Sequence, residues 1–136
     1  MYFVWMWHQM RVAPPTQLLA VELAQTHADM GNIAAGTPEE LESEAPFDLI
    51  INATSLGHEG CTPELAPGSL TPGGLCYDMN YAQAAEPLRS LCREHGMRYS
   101  DGLGMLVGQA AHSFSLWTGR TPDTAKVVDI LRNGEE

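Results

Sequence analysis

FDLIINATSLG occupies residues 47–57 and sets the fold class of the chain. Phe47, Asp48, Leu49, Ile50 and Ile51 form a short, mostly apolar run, partly β-branched, of the kind buried on both faces of a parallel sheet. It runs directly into Asn52-Ala53-Thr54-Ser55 and then reaches Gly57. In open α/β sheets, ligands lie beyond the carboxyl ends of the strands, where small residues let a ligand approach the backbone and Asn or Thr can hydrogen-bond it. The same residues also suit an ordinary strand end with a tight turn, and the motif alone leaves both readings open.

Ahead of this stretch, Thr37-Pro38-Glu39-Glu40 is a helix start, with Thr as N-cap, Pro in the first helical position and Glu40 where a capping box needs it. Pro46 should end that helix early. Pro14-Pro15-Thr16 breaks the chain, and Thr16 suits the N-cap of a helix from Gln17 to about Met30, closed by Gly31-Asn32. Its apolar stripe is Leu19, Leu23 and His27 with Ala20 and Ala24. The aromatic opening supports one strand, Tyr2 to Trp7.

Beyond Gly57, a proline- and glycine-rich loop of roughly 58–74 precedes a second strand, Leu75 to Tyr81, that ends in a polar turn. Glu86-Pro87 opens a helix to His95, stopped by Gly96, and Met97 to Ser100 supplies another strand. Strands alternating with helices at this spacing predict βα crossovers and a parallel sheet. Asp101-Gly102-Leu103-Gly104 leads into a helix from Met105 to Trp117, closed by Gly119. Leu103, Leu106, Val107, Ala110, Phe114 and Trp117 are its expected core face. Met105, Gln109 and His112 fall on a second stripe. A last helix is expected after Thr121, with Pro122 at its first position and Ala125, Val128, Ile130 and Leu131 as apolar residues.

The chain has 136 residues, enough for one domain with a core. Seventeen acidic against seven basic residues give a net charge of -10, which argues against nucleic acid and anionic membrane surfaces as partners. No apolar run approaches the ~20 residues of a spanning helix, and MYFVWMWHQM has neither the basic start nor the cleavage site of a signal peptide. Cys61, Cys76 and Cys92 are odd in number and show no metal-ligand spacing, so neither a disulfide framework nor a metal site is expected and a cytoplasmic setting is the default. The five histidines form no HExxH, and no GxSxG is present. Gln109 is the more informative polar residue, since a carboxamide donates and accepts and can bind a polyhydroxylated ligand. It could equally bond a neighbouring loop.

Taken together, FDLIINATSLG, CYDMNY (residues 76–81) and DGLGMLVGQAAHSFSLWTG (residues 101–119) resemble, in order and spacing, the carboxyl-terminal half of shikimate dehydrogenase. The likeness runs over roughly residues 20–133, leaving 1–19 as an atypical amino-terminal segment and 20–136 as an incomplete Rossmann-type domain. The resemblance implies an α/β fold, a partial NADP-binding domain whose short parallel sheet is flanked by helices and followed by a helical carboxyl terminus. It implies the small molecules NADP and shikimate or 3-dehydroshikimate as ligands, and hydride transfer between NADPH and the keto group. By position, Asn52, Ala53 and Thr54 resemble the turn along the dinucleotide, Met79 and Gly102 the positions beside the nicotinamide, and Tyr81 and Gln109 the substrate-pocket residues.

Other family features have no counterpart. The catalytic lysine and aspartate belong to an amino-terminal substrate domain absent from this sequence, so no catalytic residue is assigned. No GxGxxG precedes the first helix, and the positions of the two arginines that hold the 2'-phosphate carry Pro14, Pro15, Thr16 and Leu19, with Arg11 nearby but displaced. NADP binding is therefore expected to be weak or lost. The abrupt change near residue 19 suggests an unrelated beginning joined to the back of the enzyme. Two roles follow: part of a shikimate dehydrogenase completed by another chain, or a noncatalytic α/β remnant or interaction module. An incomplete sheet or an uncovered apolar face makes self-association a further expectation.

Overall fold

A computed structural model describes residues 2–5, 10–13, 17–31 and 33–134. Its strands are β1 (Tyr2–Trp5), β2 (Met10–Ala13), β3 (Ile33–Ala35), β4 (Phe47–Asn52), β5 (Leu70–Asp78) and β6 (Arg98–Ser100). They form one sheet in the order β3-β2-β1-β4-β5-β6. This is the order of a doubly wound dinucleotide-binding sheet. The pairs β4–β5 and β5–β6 are parallel, as the alternating pattern predicted, and β2–β3, two strands that pattern did not include, are parallel as well.

β1 is the exception. It runs antiparallel to both neighbours, with Tyr2 opposite Ala13 on one side and Asn52 on the other. The connection explains the reversal, since only residues 6–9 separate β1 from β2 and a parallel crossover needs a dozen residues or more. The single strand expected over Tyr2 to Trp7 is thus the first arm of a β1–β2 pair; residues 6–9 lie outside the described residues.

The helices are α1 (Gln17–Thr26), α2 (Pro38–Glu44), α3 (Glu86–Glu94), α4 (Leu103–Thr118) and α5 (Thr124–Asn133). α1 stops before Met30, and Ala28–Met30 forms a separate 3-10 turn. The expected cap at Thr16 lies outside the described residues. α2 carries the full capping box: the Glu40 N–H donates to Thr37 Oγ1 at 3.3 Å and the Thr37 N–H to Glu40 Oε2 at 2.8 Å. β5 begins at Leu70, inside the stretch expected to be loop, because Pro72, Gly73 and Gly74 disguise an irregular strand start whose pairing with β4 shifts register between Phe47 and Leu49. α5 begins at Thr124 rather than at Pro122. The Asp123 carboxylate, accepting from the Lys126 N–H at 3.1 Å, makes the better cap.

The core lies between β4, β5 and α3, where Phe47, Ile50, Cys76, Leu88 and Cys92 are buried together. Each large apolar side chain buried there contributes about 1.5–3 kcal/mol. Cys76 and Cys92 are free thiols buried in the same cluster, and the neighbouring Cys92 thiol together with burial pushes the Cys76 thiol up. α4 departs from its expected packing. Leu103 and Val107 are buried, but Leu106, Phe114 and Trp117 are exposed, because only the start of α4 is covered and α5 is its main partner among the described elements. No helix among the described residues is long and apolar enough to cross a membrane.

Candidate functional site: the carboxyl edge of the parallel strands

Three parallel strands end side by side at Asn52, Asp78 and Ser100, and the backbone fastens their turns together. The Met79 N–H donates to the Asn52 carbonyl at 2.8 Å, and the Gly102 N–H donates to the Asn80 carbonyl at 2.8 Å. Asn52, Ala53, Thr54, Met79 and Gly102, singled out in the sequence, therefore form one continuous wall. Gly102 can hold no side chain there, since a Cβ would run into the Met79 carbonyl. Gly57 is held as tightly, against the backbone of Ala84.

Asp78 organises this wall. Its side chain is wholly buried at the end of β5. Oδ1 accepts from Asn52 Nδ2 at 3.0 Å, from the Asn80 N–H at 3.0 Å and from Asn80 Nδ2 at 2.9 Å. The Tyr99 hydroxyl lies 3.2 Å from both Asp78 Oδ2 and the Ala85 carbonyl and shares one proton between them. Burial first, and then the Asp78 charge, raises the Tyr99 pKa, keeping it a donor. The sequence pattern places Asp78 and Asn80 within the strand expected over Leu75 to Tyr81 and assigns them no role, whereas the strand ends at Asp78. An aspartate closing an otherwise buried strand was the available signal.

Asn52 is 2% exposed, and its side chain is engaged within the protein. Besides donating to Asp78, its Oδ1 accepts from the Thr54 N–H at 3.0 Å and from Thr54 Oγ1 at 2.8 Å. Asn80 Nδ2 also donates to the Thr54 carbonyl at 3.0 Å. What the wall offers a ligand is thus backbone and the half-exposed Met79. Tyr81 and Gln109 are exposed, and among the described residues neither side chain has a hydrogen-bond partner.

Asp101 caps the start of α4 by accepting from the Leu103 N–H at 3.2 Å, and it also receives Arg89 Nη2 at 3.0 Å and Arg132 Nη2 at 3.5 Å. Arg89 also donates to Glu86 at 2.7 Å, so both guanidiniums face carboxylates already. A cleft of about 540 Å³ lies against Tyr99, Asp101 and Arg132. Another, about 550 Å³, lies between Gly57, His58 and Pro87 of α3. Among the described residues, no group of histidine, cysteine and carboxylate side chains could hold a metal ion.

Comparison with known proteins places this edge in context. Residues 102–132 match the family model described as the shikimate 5'-dehydrogenase C-terminal domain. A shikimate dehydrogenase (NADP(+)) of Dechloromonas aromatica is 46% identical over 114 residues, 83% of this chain and 41% of that protein. Among solved structures, an Ael1 enzyme from Pseudomonas putida superimposes with a TM-score of 0.73 at 32% identity, covering 88% of this chain and 44% of that one. A shikimate 5-dehydrogenase from Thermus thermophilus, solved in complex with NADP(H) and shikimate, gives 0.66 at 26%, covering 90% and 45%. The chain spans less than half the length of each of these relatives.

Proposed function

We propose that this chain, a relative of the shikimate dehydrogenases through their carboxyl-terminal part, keeps the substrate-facing wall of their cleft without the pyrophosphate cradle and does not reduce 3-dehydroshikimate by itself. The observation that carries this reading is the direction of β1. In a dinucleotide-binding sheet the central first strand runs parallel to its neighbours and leads into a helix whose N-terminal N–H groups hold the pyrophosphate. Here β1 fills the central slot in reverse, so its first residue, Tyr2, stands beside Asn52 and its carboxyl end lies at the opposite edge. No helix follows it at the ligand edge among the described residues.

The neighbouring strand β2 does lead into α1 at the correct edge. Yet the positions matching the family's 2'-phosphate arginines are Pro14, Pro15, Thr16 and Leu19. The phosphate half of NADP therefore does not fit this chain, while the backbone of Ala53, Met79 and Gly102 still suits a flat ring. Tyr81 and Gln109 are the groups left to meet a hydroxylated carboxylic acid such as shikimate, through a phenol and a carboxamide.

The test is a shikimate-dependent NADPH absorbance assay on the purified chain. The rate is expected to equal that of buffer alone, and steady turnover that scales with protein concentration would overturn the proposal. The exposed face of α4 favours a second reading, an α/β module that works through contact with another polypeptide.

A further inference from the structure

We infer that the cleft between α3, β6 and α5, lined by Arg89, Tyr99, Ser100, Asp101 and Arg132, binds a small molecule through an oxyanion, a carboxylate or a phosphate group. The cleft measures about 540 Å³, the size of a small-molecule pocket. Neither Tyr81 nor Gln109 is among its lining residues, so it is separate from the groups assigned above to a hydroxylated acid and does not depend on that assignment.

Charge and donor supply choose the ligand. The chain carries -10 overall, yet the lining of this cleft sets two arginines against one carboxylate and is locally positive. Arg132 is held loosely. Its Nη2 lies 3.5 Å from Asp101 Oδ1, its side chain is 57% exposed, and it makes no hydrogen bond among the described residues. A guanidinium offers a planar fork of N–H donors that matches a carboxylate or a phosphate. Arg89 is the fixed half of the pair: Nη1 donates to Glu86 at 2.7 Å, Nη2 donates to Asp101 at 3.0 Å, and the cation lies 5.8 Å from the centre of the Tyr99 ring. The Ser100 hydroxyl adds a donor with no partner among the described residues.

The acceptors of the cleft are already engaged. Asp101 Oδ1 takes the Leu103 N–H and Oδ2 takes Arg89, while the Tyr99 hydroxyl is committed to Asp78 and the Ala85 carbonyl. Surplus donors beside engaged acceptors recognise an acceptor-rich, negatively charged ligand. Ala82, Leu103 and the Tyr99 ring line the cleft for the apolar remainder of such a molecule. Asp101 offsets part of the positive charge, as does Glu86 where it faces Arg89, so a bare anion binds weakly.

The experiment titrates inorganic phosphate and, separately, acetate into the full isotope-labelled chain at constant ionic strength, following backbone amide and arginine Nε–H resonances. Saturable shifts centred on residues 99–103, Arg89 and Arg132 are expected, with half-saturation at about 1–10 mM for at least one probe; the tighter probe names the group. Arg132→Gln, at an exposed position where the melting temperature should stay unchanged, is expected to weaken binding about tenfold, and Ser100→Ala to weaken it less. Arg93→Gln, which changes an exposed arginine of α3 that is not among the lining residues, should leave it unchanged. Shifts that do not saturate by about 50 mM with either probe would overturn the inference. So would binding that is indifferent to Arg132→Gln, or that Arg93→Gln weakens as much, since the anion would then be answering general surface charge.

Discussion

Asn52 and Asp78, the last residues of two adjacent parallel strands, are joined by a 3.0 Å hydrogen bond from Asn52 Nδ2 to Asp78 Oδ1 in a fully buried setting. Three donors converge on that one oxygen. Asp78→Ala orphans them, and an unsatisfied buried donor costs about 1–3 kcal/mol. Urea denaturation should therefore show a loss of about 3–5 kcal/mol, with Asp78→Asn losing less because its carbonyl oxygen still accepts. A loss below about 1 kcal/mol for Asp78→Ala would mean that the carboxylate does not hold the strand ends together.

Glycines in and around α4 should respond in opposite directions. A Cβ at Gly102 meets the Met79 carbonyl, whereas one at Gly108 meets nothing within 4 Å. Gly102→Ala is expected to destabilise by more than about 2 kcal/mol, as forced backbone displacement does. Gly108→Ala should stabilise by about 0.5–1 kcal/mol through helix propensity. Thermal unfolding of the two variants beside the parent chain checks both signs.

Stability should fall at alkaline pH through Tyr99. Its pKa is raised above the ordinary value of 10.0, chiefly by burial and then by Asp78. Above about pH 10 the unfolded chain therefore releases a proton that the folded chain keeps, which favours unfolding. The contribution is complete below about pH 10 and is lost as pH rises toward the folded-state pKa. Tyr99→Phe should flatten this slope in urea titrations between about pH 9 and 11. An unchanged slope would assign the alkaline loss to other groups, of which Tyr77, also raised by burial, is one.

The order of elements from α2 onward was legible because each signal was local: a capping box at Thr37, a buried run ending in small polar residues, and a glycine closing α4. Three features were not. β3 is only Ile33-Ala34-Ala35, too short to show a period. The outward face of α4 carries the 3.6-residue pattern of a core helix, and periodicity cannot tell whether a covering element is present. The reversal of β1 depends on strand pairing, which hydrophobic pattern does not encode. At the site, the backbone wall could be read from family likeness, whereas Asp78 could not be recognised as its anchor until Asn52, Asn80 and Tyr99 were seen to meet there.

Calorimetric titration of NADP into the purified chain, with and without shikimate, tests the central claim most directly. On the proposed reading, loss of two arginine contacts at about 1.5–3 kcal/mol each weakens binding by roughly two to four orders of magnitude, before counting that no helix follows β1 among the described residues. The reversed β1 thus predicts no saturable heat up to about 1 mM NADP. Saturable one-to-one binding in the micromolar range would contradict it, and would require a pyrophosphate site that this sheet does not build in the usual way.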